Sequence, residues 1–137
     1  MNWLLDTCVL SDFARGEPGA LGRLKAISPG EVAVSAITVM EIEYGLALAP
    51  SRVQTVGPVM RALLGAVTVV SYTAEDARAS ASLRASLEKK GRPIGAYDIL
   101  IAGAALARGL VLVTSNIKEF GRVSGLRIEN WRGAPKP

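Results

Sequence analysis

Residues 94–116 have the sequence IGAYDILIAGAALARGLVLVTSN, in which a helix-forming run passes into a strand-forming run. The first part, 95–108, predicts a helix that is apolar on nearly every side, and Gly109 is the kind of residue that typically ends a helix. The second part, 110–113, is a continuous Leu-Val-Leu-Val run, which is typical of a strand buried on both faces. We therefore expect this segment to lie in the interior of an α/β protein.

Short apolar strands and longer helices also alternate on both sides of this segment. Such alternation is typical of a parallel sheet covered by helices, so we predict an α/β fold, a three-layer α/β/α domain with a central parallel β-sheet. The chain has 137 residues, half of them apolar, which suits a single domain over 1–137 with 133–137 as a flexible tail. The other predicted strands are 2–5, 32–34, 68–70 and an edge strand at 126–129, and the other predicted helices are 10–15, 18–27, 38–48, 50–64 and 73–90.

Asp98 is the most informative residue of the central helix, because it is an acid in an otherwise apolar segment. An ionised carboxylate in a buried helix is costly unless it is paired or binds a metal ion. Its place in the first turn gives it partial compensation from the helix dipole. A structural acid paired with an arginine is the alternative, and we favour a functional role.

Two further polar residues, Asp6 and Asn116, directly follow predicted strands. In open parallel sheets, binding sites form beyond the carboxyl ends of the strands, so both side chains are candidates for one crevice. Aspartate and asparagine are also common helix N-caps, which is the structural alternative for each. The neighbouring hydroxyl groups of Thr7, Thr114 and Ser115 are expected to support the site through hydrogen bonds.

Glu41 is the third candidate acid and lies in the predicted helix 38–48. Thr38 and Glu41 have the T-x-x-E spacing of a capping box, which would explain the glutamate structurally. A first-turn acid can still face the pocket, so the structural and functional interpretations of Glu41 are compatible.

Composition excludes several kinds of catalytic site. The chain contains no histidine and one cysteine, which removes Ser-His-Asp and Cys-His nucleophilic sites and the usual zinc sites. It also lacks a P-loop and a glycine-rich dinucleotide motif after a predicted strand. Carboxylates clustered without histidine suit a hard cation, so we expect Mg²⁺ or Mn²⁺ as the cofactor.

Charge is distributed unevenly along the chain. The segment 89–137 has nine basic and three acidic residues, whereas 1–88 has seven basic and nine acidic residues. A basic C-terminal third suits a polyanionic partner, with a solvated surface as an equal alternative. Arg92 and Lys118 flank the candidate site in sequence and are candidate contacts for the phosphate groups of such a partner.

The sequence predicts neither a secretory signal nor a membrane-spanning helix. The first residues lack the basic region of a secretory signal, and the longest apolar stretch, 94–113, contains Asp98 and Arg108. A lone cysteine gives no reason to expect an oxidising compartment. We therefore expect a cytoplasmic protein that does not insert into a membrane.

The candidate residues lie in four longer segments that can be read as motifs. These segments are LLDTCVLS at 4–11, VSAITVMEIEYG at 34–45, PIGAYDILIA at 93–102 and LVTSNIKEFGRV at 112–123, the last followed by Leu126 and Asn130-Trp131. Together they resemble the PIN-domain family, and most closely the VapC-type toxins of type II toxin–antitoxin systems. The match extends over nearly the whole chain, in the family's order and spacing. The opening segment resembles the family's L-D-T-N-V motif with Cys8 in place of the usual asparagine.

The resemblance implies an Mg²⁺- or Mn²⁺-dependent endoribonuclease that cleaves structured RNA, either tRNA or rRNA, by metal-activated water. It implies a toxin that inhibits translation and growth, forms a homodimer, and is neutralised by a VapB-type antitoxin that wraps the active site. By the same resemblance, Asp6 and Asp98 are the metal ligands, Glu41 acts directly or through water, and Asn116 takes a fourth catalytic position where many relatives have aspartate. That asparagine removes one negative charge and favours a single metal ion.

Three alternatives remain from the residues themselves. A haloacid-dehalogenase-like phosphatase also begins with an acid after its first strand, but it needs a second aspartate where this chain has Cys8. A non-enzymatic RNA-binding module is disfavoured by the small number of aromatic residues available for stacking. The third alternative is an inactive relative that only binds an antitoxin.

Overall fold

The computed structural model describes residues 1–133 of the chain. Over this range the chain forms five strands and seven α-helices in alternating order. The strands are β1 (Trp3–Leu5), β2 (Val32–Ser35), β3 (Thr68–Val70), β4 (Val111–Val113) and β5 (Ile128–Glu129). The helices are α1 (Thr7–Ala14), α2 (Pro18–Ala26), α3 (Ala36–Leu48), α4 (Gly57–Ala66), α5 (Ala74–Lys89), α6 (Ala96–Arg108) and α7 (Ile117–Phe120).

All five strands are parallel and lie in the order β3-β2-β1-β4-β5. The chain builds the sheet outward from β1 to β3, and then crosses to the other side of β1 to add β4 and β5. The order therefore reverses beside β1, and the crevice beyond the carboxyl ends of β1 and β4 is the position where open α/β sheets bind ligands. The predicted parallel sheet is confirmed, and β5 is an edge strand as expected.

Successive strand residues point into two separate cores, which makes the three layers. Leu4 and Leu112 pack in one core with side chains of α5 and α6, whereas Leu5 and Val113 pack in the other with side chains of α1 to α4. All four side chains are fully buried. A strand covered on both faces cannot alternate apolar and polar residues, which explains the continuous apolar runs in the sequence.

The predicted helix at 50–64 was wrong in its boundaries. The chain makes a single 3-10 turn at Pro50–Arg52, and α4 begins only at Gly57. Pro58 is the second residue of α4 and has no N–H group, so a helix that continued through it would lose a hydrogen bond. Proline is tolerated in the first turn, and the helix starts there.

The capping box expected from Thr38 and Glu41 does not form. The N-cap of α3 is Ser35, whose hydroxyl accepts a hydrogen bond from the Ile37 N–H at 3.1 Å. Thr38 is therefore inside the helix, where it is fully buried. This leaves the side chain of Glu41 free of any capping role.

Helix α5 starts at the predicted cap, and its first turn carries a buried ion pair. Thr73 and Asp76 form a reciprocal capping box, and the Asp76 carboxylate also pairs with Arg108 at the end of α6. Arg108 donates a second hydrogen bond to the Ser71 carbonyl at 2.8 Å. The pair joins α5 to α6, and so positions the helix that carries Asp98.

Of the predicted tail 133–137, only Gly133 belongs to the described residues, and its N–H donates to Glu17 Oε1 at 2.8 Å. Residues 134–137 lie outside the described part of the chain. Within 1–133, none of the helices combines the length and the apolar character needed to span a bilayer.

Candidate active site

The candidate residues come from four elements that begin at the carboxyl edge of the sheet. Asp6 follows β1 and caps α1, Glu41 lies in α3 after β2, Asp98 is in the first turn of α6, and Asn116 precedes α7 after β4. The topology brings these elements to the point where the strand order reverses. Helix N-termini carry partial positive charge, which partly offsets the carboxylates gathered there.

Asp6 is held rigidly by its neighbours. Its N–H donates to the Val113 carbonyl, which continues the β1–β4 ladder by one residue. Its Oδ1 accepts from the Thr7 N–H at 2.8 Å as an N-cap, and its Oδ2 accepts from the Thr114 hydroxyl at 2.8 Å. Asp6 is only 6% exposed, and the residues that fix it leave its carboxylate at the crevice. The N-cap interpretation was therefore confirmed, and it coexists with a place in the site.

Glu41 faces the same crevice through a hydrogen bond with the first helix. Its Oε1 accepts from the Thr7 hydroxyl at 2.7 Å, so one residue contacts both acids. Thr7 N–H donates to Asp6 and Thr7 Oγ1 donates to Glu41, which fixes the spacing of the two carboxylates. The supporting role expected for Thr7 thus has a definite geometry.

Asp98 has the clearest electrostatic signature of the site. Its pKa is raised from 3.8 to about 7, first by burial and then by a hydrogen bond with the Glu119 carboxyl group. The negative charges of Asp6, Glu119 and Glu41 raise the pKa further. A carboxyl that is hard to ionise beside three others marks a place where negative charge is concentrated without compensation.

Glu119 is a site residue that we did not single out from the sequence. It lies in the short helix α7, which was not predicted, and its carboxyl group lies within hydrogen-bonding reach of Asp98. The Asn116 Nδ2 group donates to Glu119 Oε2 at 3.4 Å and orients it. The spacing of three residues between Asn116 and Glu119 was the available signal, because such residues share one face of a helical turn.

Asn116 therefore occupies the predicted place but has an additional partner. It is the N-cap of α7 by position, yet its side chain makes no capping hydrogen bond. Its N–H donates to the Thr114 hydroxyl at 3.0 Å, while its side-chain amide contacts Glu119. The negative charge that asparagine does not supply at position 116 is supplied by Glu119.

Cys8 packs against the polar side of Asp6. Its Sγ lies 3.4 Å from Asp6 Oδ2 and accepts hydrogen bonds from the Ser115 N–H and hydroxyl groups, both at 3.4 Å. Burial, followed by the charge of Asp6, raises the pKa of the Cys8 thiol. The neutral thiol donates to Asp6, so Cys8 and Ser115 support the aspartate from the side opposite Thr7.

The basic residues named from the sequence lie on the exposed surface beside these elements. Arg92 precedes α6, Lys118 is in α7, and neither forms an ion pair within residues 1–133. Arg122, which we did not single out, donates to the Pro93 carbonyl at 2.9 Å. That hydrogen bond connects the turn after α7 to the loop that leads to Asp98.

The donor chemistry of the site fits a hard divalent cation. Asp6, Glu41, Asp98 and Glu119 offer only carboxylate oxygens, which Mg²⁺ and Mn²⁺ prefer. Within residues 1–133, no three acidic or cysteine side chains are close enough to enclose a metal ion by themselves. Mg²⁺ keeps several waters and binds through one or two carboxylates, so an open acidic crevice suits it better than a closed cage.

Known proteins resemble this chain over nearly its whole length. The PIN domain profile matches residues 3–126. The tRNA(fMet)-specific endonuclease VapC of Salmonella typhimurium is 35% identical, with 96% of this chain and 98% of that protein aligned. The protein of the same name from Shigella flexneri is 33% identical with the same coverage.

Solved structures agree with the sequence relatives. A crystal structure of VapBC2 from Rickettsia felis bound to a promoter DNA fragment has a TM-score of 0.87 and 30% identity, covering 96% of this chain and 99% of that one. The DNA-bound VapBC of Salmonella typhimurium has a TM-score of 0.86 and 36% identity, covering 96% and 98%. With its strand order, its acids at the carboxyl edge and these relatives, the chain belongs to the PIN-domain family, in its VapC branch.

Proposed function

We propose that this protein is a metal-dependent endoribonuclease that acts as the toxin of a toxin–antitoxin pair. The single observation that carries the proposal is the uncompensated acidic crevice, in which burial, Glu119 and the neighbouring charges raise the pKa of Asp98 to about 7. Four carboxylates are gathered there, and the arginines that pair with other buried acids are elsewhere. A bound cation would relieve the repulsion among these carboxylates, and its positive charge would attract a polyanionic substrate to the crevice.

Asp6 and Asp98 are the residues we assign to the metal ion, Mg²⁺ or Mn²⁺. When bound, the ion supplies Lewis-acid chemistry, which lowers the pKa of water and offsets charge on the phosphodiester. Thr114 and Cys8 hold Asp6 in one orientation, and Glu119 shares a hydrogen bond with Asp98. These contacts orient both of the carboxylates that we assign to the metal ion.

Glu41 is the residue to which we assign the acceptance of a proton from the attacking water. Thr7 occupies its Oε1, which leaves Oε2 for a further hydrogen bond. As the water oxygen bonds to phosphorus, its proton passes to a carboxylate, the bond between phosphorus and the leaving oxygen breaks, and that oxygen takes up a proton. Arg92 and Lys118 are proposed to hold the flanking phosphates.

For the substrate we propose a structured RNA, with tRNA first and rRNA second. The choice of tRNA is supported by the relatives from Salmonella typhimurium and Shigella flexneri, which are described as specific for tRNA(fMet). Cleavage of either RNA would inhibit translation and growth. We propose the cytoplasm, where these RNAs function, as its location.

Purified protein free of antitoxin, incubated with total bacterial RNA, tests the activity directly. Reactions with Mg²⁺, Mn²⁺ or EDTA are compared, with Asp98→Asn as the inactive control, and the new RNA ends are mapped. Discrete cuts that need both metal and Asp98 are expected, while cuts that persist in EDTA or in Asp98→Asn would contradict the mechanism. Mg²⁺ should also raise the Tm of the wild type more than that of Asp98→Asn, because only the native site binds it.

A VapB-type antitoxin is the proposed protein partner. The neighbouring structures from Rickettsia felis and Salmonella typhimurium are VapBC complexes, and an acidic crevice suits a basic antitoxin side chain. Co-expression with the antitoxin should relieve growth arrest by the wild type, and Asp98→Asn should cause no arrest while still binding the antitoxin. An active chain that arrests growth equally with and without its antitoxin would contradict this partner.

A homodimer is also proposed, and one exposed helix face supports it. Met40, Tyr44 and Leu48 recur every four residues along α3 and are 39%, 62% and 68% exposed. Burying such a stripe against a second copy is favourable in water. Light scattering on the wild type and on Leu48→Glu tests this, and a wild type that is monomeric at high concentration would overturn it.

A further inference from the structure

A cavity of about 120 Å³ lies beside Glu41, between α1, α3 and the segment that leads into α4. Thr7 and Glu41 of the candidate active site form part of its wall, and Ser11, Gly45 and Arg52 form another part. The mechanism proposed above uses none of these last three residues. The cavity therefore shares Thr7 and Glu41 with the acidic crevice and is otherwise lined by different residues.

The lining has a polar and an apolar part. Arg52 lines the cavity and forms no ion pair among residues 1–133. Leu46, Val56 and Met60 are among the apolar residues of the lining. A ligand that fits this lining has a negative charge next to a flat or apolar group.

The volume of the cavity limits the kind of ligand that it can hold. A complete small-molecule site usually needs about 300 Å³ or more, so a cavity of 120 Å³ suits one ring or one charged group rather than a whole cofactor. Gly45 lines it inside α3, and a Cβ added there would meet no atom within 4 Å. A longer side chain at this exposed lining position therefore has room to extend over the cavity without a clash.

We propose that this cavity is a nucleotide subsite, which takes the base of a single-stranded RNA residue next to the scissile phosphate while Arg52 contacts a neighbouring phosphate. The inference rests on the nuclease activity proposed above and adds a determinant of where the RNA is cut. A peptide from an antitoxin is the competing occupant. It is disfavoured because a segment basic enough to neutralise the acids would be repelled by Arg52.

Two matched pairs of variants test the subsite. Gly45→Leu is compared with Gly65→Leu, because Gly65 is also an exposed glycine inside a helix with no atom within 4 Å of an added Cβ, but it does not line the cavity. Arg52→Gln is compared with Arg78→Gln, since Arg78 is exposed on α5 and does not line the cavity. Replacing a helical glycine by leucine should not harm folding, which thermal unfolding and light scattering verify.

Binding is measured in the Asp98→Asn background with fluorescein-labelled, short single-stranded RNA of random sequence. Gly45→Leu should weaken binding about tenfold, as expected for loss of one base contact, and Gly65→Leu should not. Arg52→Gln should lower the slope of log affinity against log salt by about 0.7, as expected for one lost phosphate contact, and Arg78→Gln should leave it unchanged. In the active chain, Gly45→Leu should change the nucleotides found beside the cut sites in total RNA.

The outcomes separate this inference from the nuclease proposal. If the wild type does not cut RNA but both cavity variants weaken RNA binding, the nuclease proposal fails, and the cavity binds RNA without a part in choosing a cut site. If the wild type cuts RNA while Gly45→Leu and Arg52→Gln bind and cut as their controls do, the subsite is overturned. Loss of antitoxin neutralisation in Gly45→Leu, with RNA binding and cutting unchanged, would overturn it in favour of the peptide.

Discussion

Asp76 and Asp98 are both acids in the first turn of a helix, in two helices packed against each other, yet their surroundings are opposite. Asp76 is 1% exposed, caps α5 with Thr73 and pairs with Arg108. Asp98 is only half-buried, and the groups that act on it are Asp6, Glu41 and Glu119, all acidic. The more deeply buried acid is thus the compensated one.

The difference teaches that burial alone does not identify a functional acid. The buried Asp76 carboxylate pairs with Arg108 and accepts a hydrogen bond from the Thr73 N–H, so it is stable as it is and needs no further partner. A carboxylate surrounded by others remains costly until a cation or a proton arrives. Asp12 belongs with Asp76 in this respect, because Arg15 and Arg132 both pair with it.

The strongest test of this comparison removes the negative charge at each of the two positions in turn. Asp98→Asn should lower RNA cleavage by about a thousandfold, about 4 kcal/mol in the activation barrier, because it removes a proposed metal ligand. The same change should raise the Tm at about pH 8, because it relieves repulsion among the remaining carboxylates. Asp76→Asn should do the reverse, with lower Tm and full activity per folded molecule. Equal losses of activity in both variants would remove the distinction between the two acids.

The second-largest effect is expected on the free energy of unfolding when Asp76, the acid paired with an arginine, is replaced. Asp76→Ala leaves Arg108 without its partner and removes the capping box of α5, which should lower the free energy of unfolding by about 3 kcal/mol. Urea denaturation of the two proteins measures the loss. The double variant Asp76→Ala with Arg108→Met should recover part of it, and a loss below about 1 kcal/mol in Asp76→Ala would mean that the pair contributes little.

The sequence was sufficient to locate most of the acids at the candidate site, but it was insufficient to identify the residues that contact them. Strand ends and apolar runs located Asp6 and Asn116 at one edge, because a parallel sheet leaves few other arrangements. Glu119 was not identified, since a helix of four residues has no periodicity to recognise. The arginine partner of Asp76 could not be predicted either, because Arg108 is 32 residues away in sequence and only packing of α5 on α6 brings it close.

The pH dependence of the free energy of unfolding should distinguish Asp98, which lies among acids, from an acid paired with an arginine. The folded-state pKa of Asp98, about 7, lies above its ordinary value of 3.8, so between these values the native state binds more protons than the unfolded state. Without divalent metal, the free energy of unfolding should therefore fall as pH rises from about 4 to about 7. Urea midpoints across this range measure the fall, which should be absent in Asp98→Asn and smaller in Glu119→Gln. A flat profile in the wild type would show that Asp98 titrates normally.

The smallest expected effect concerns the hydroxyl groups that orient the acids. Thr114 is fully buried and donates to Asp6, so Thr114→Val should lower the free energy of unfolding by about 1 kcal/mol and kcat by about tenfold. Thr7→Val removes only the hydroxyl contact with Glu41 at a less buried position, so its effect should be weaker. Thr114→Ser restores the hydroxyl and should restore kcat, which separates positioning of Asp6 from simple packing. If Thr114→Val lowered stability but left kcat and KM unchanged, the Thr114 hydroxyl would have only a structural role, as the Thr73 hydroxyl has in capping α5.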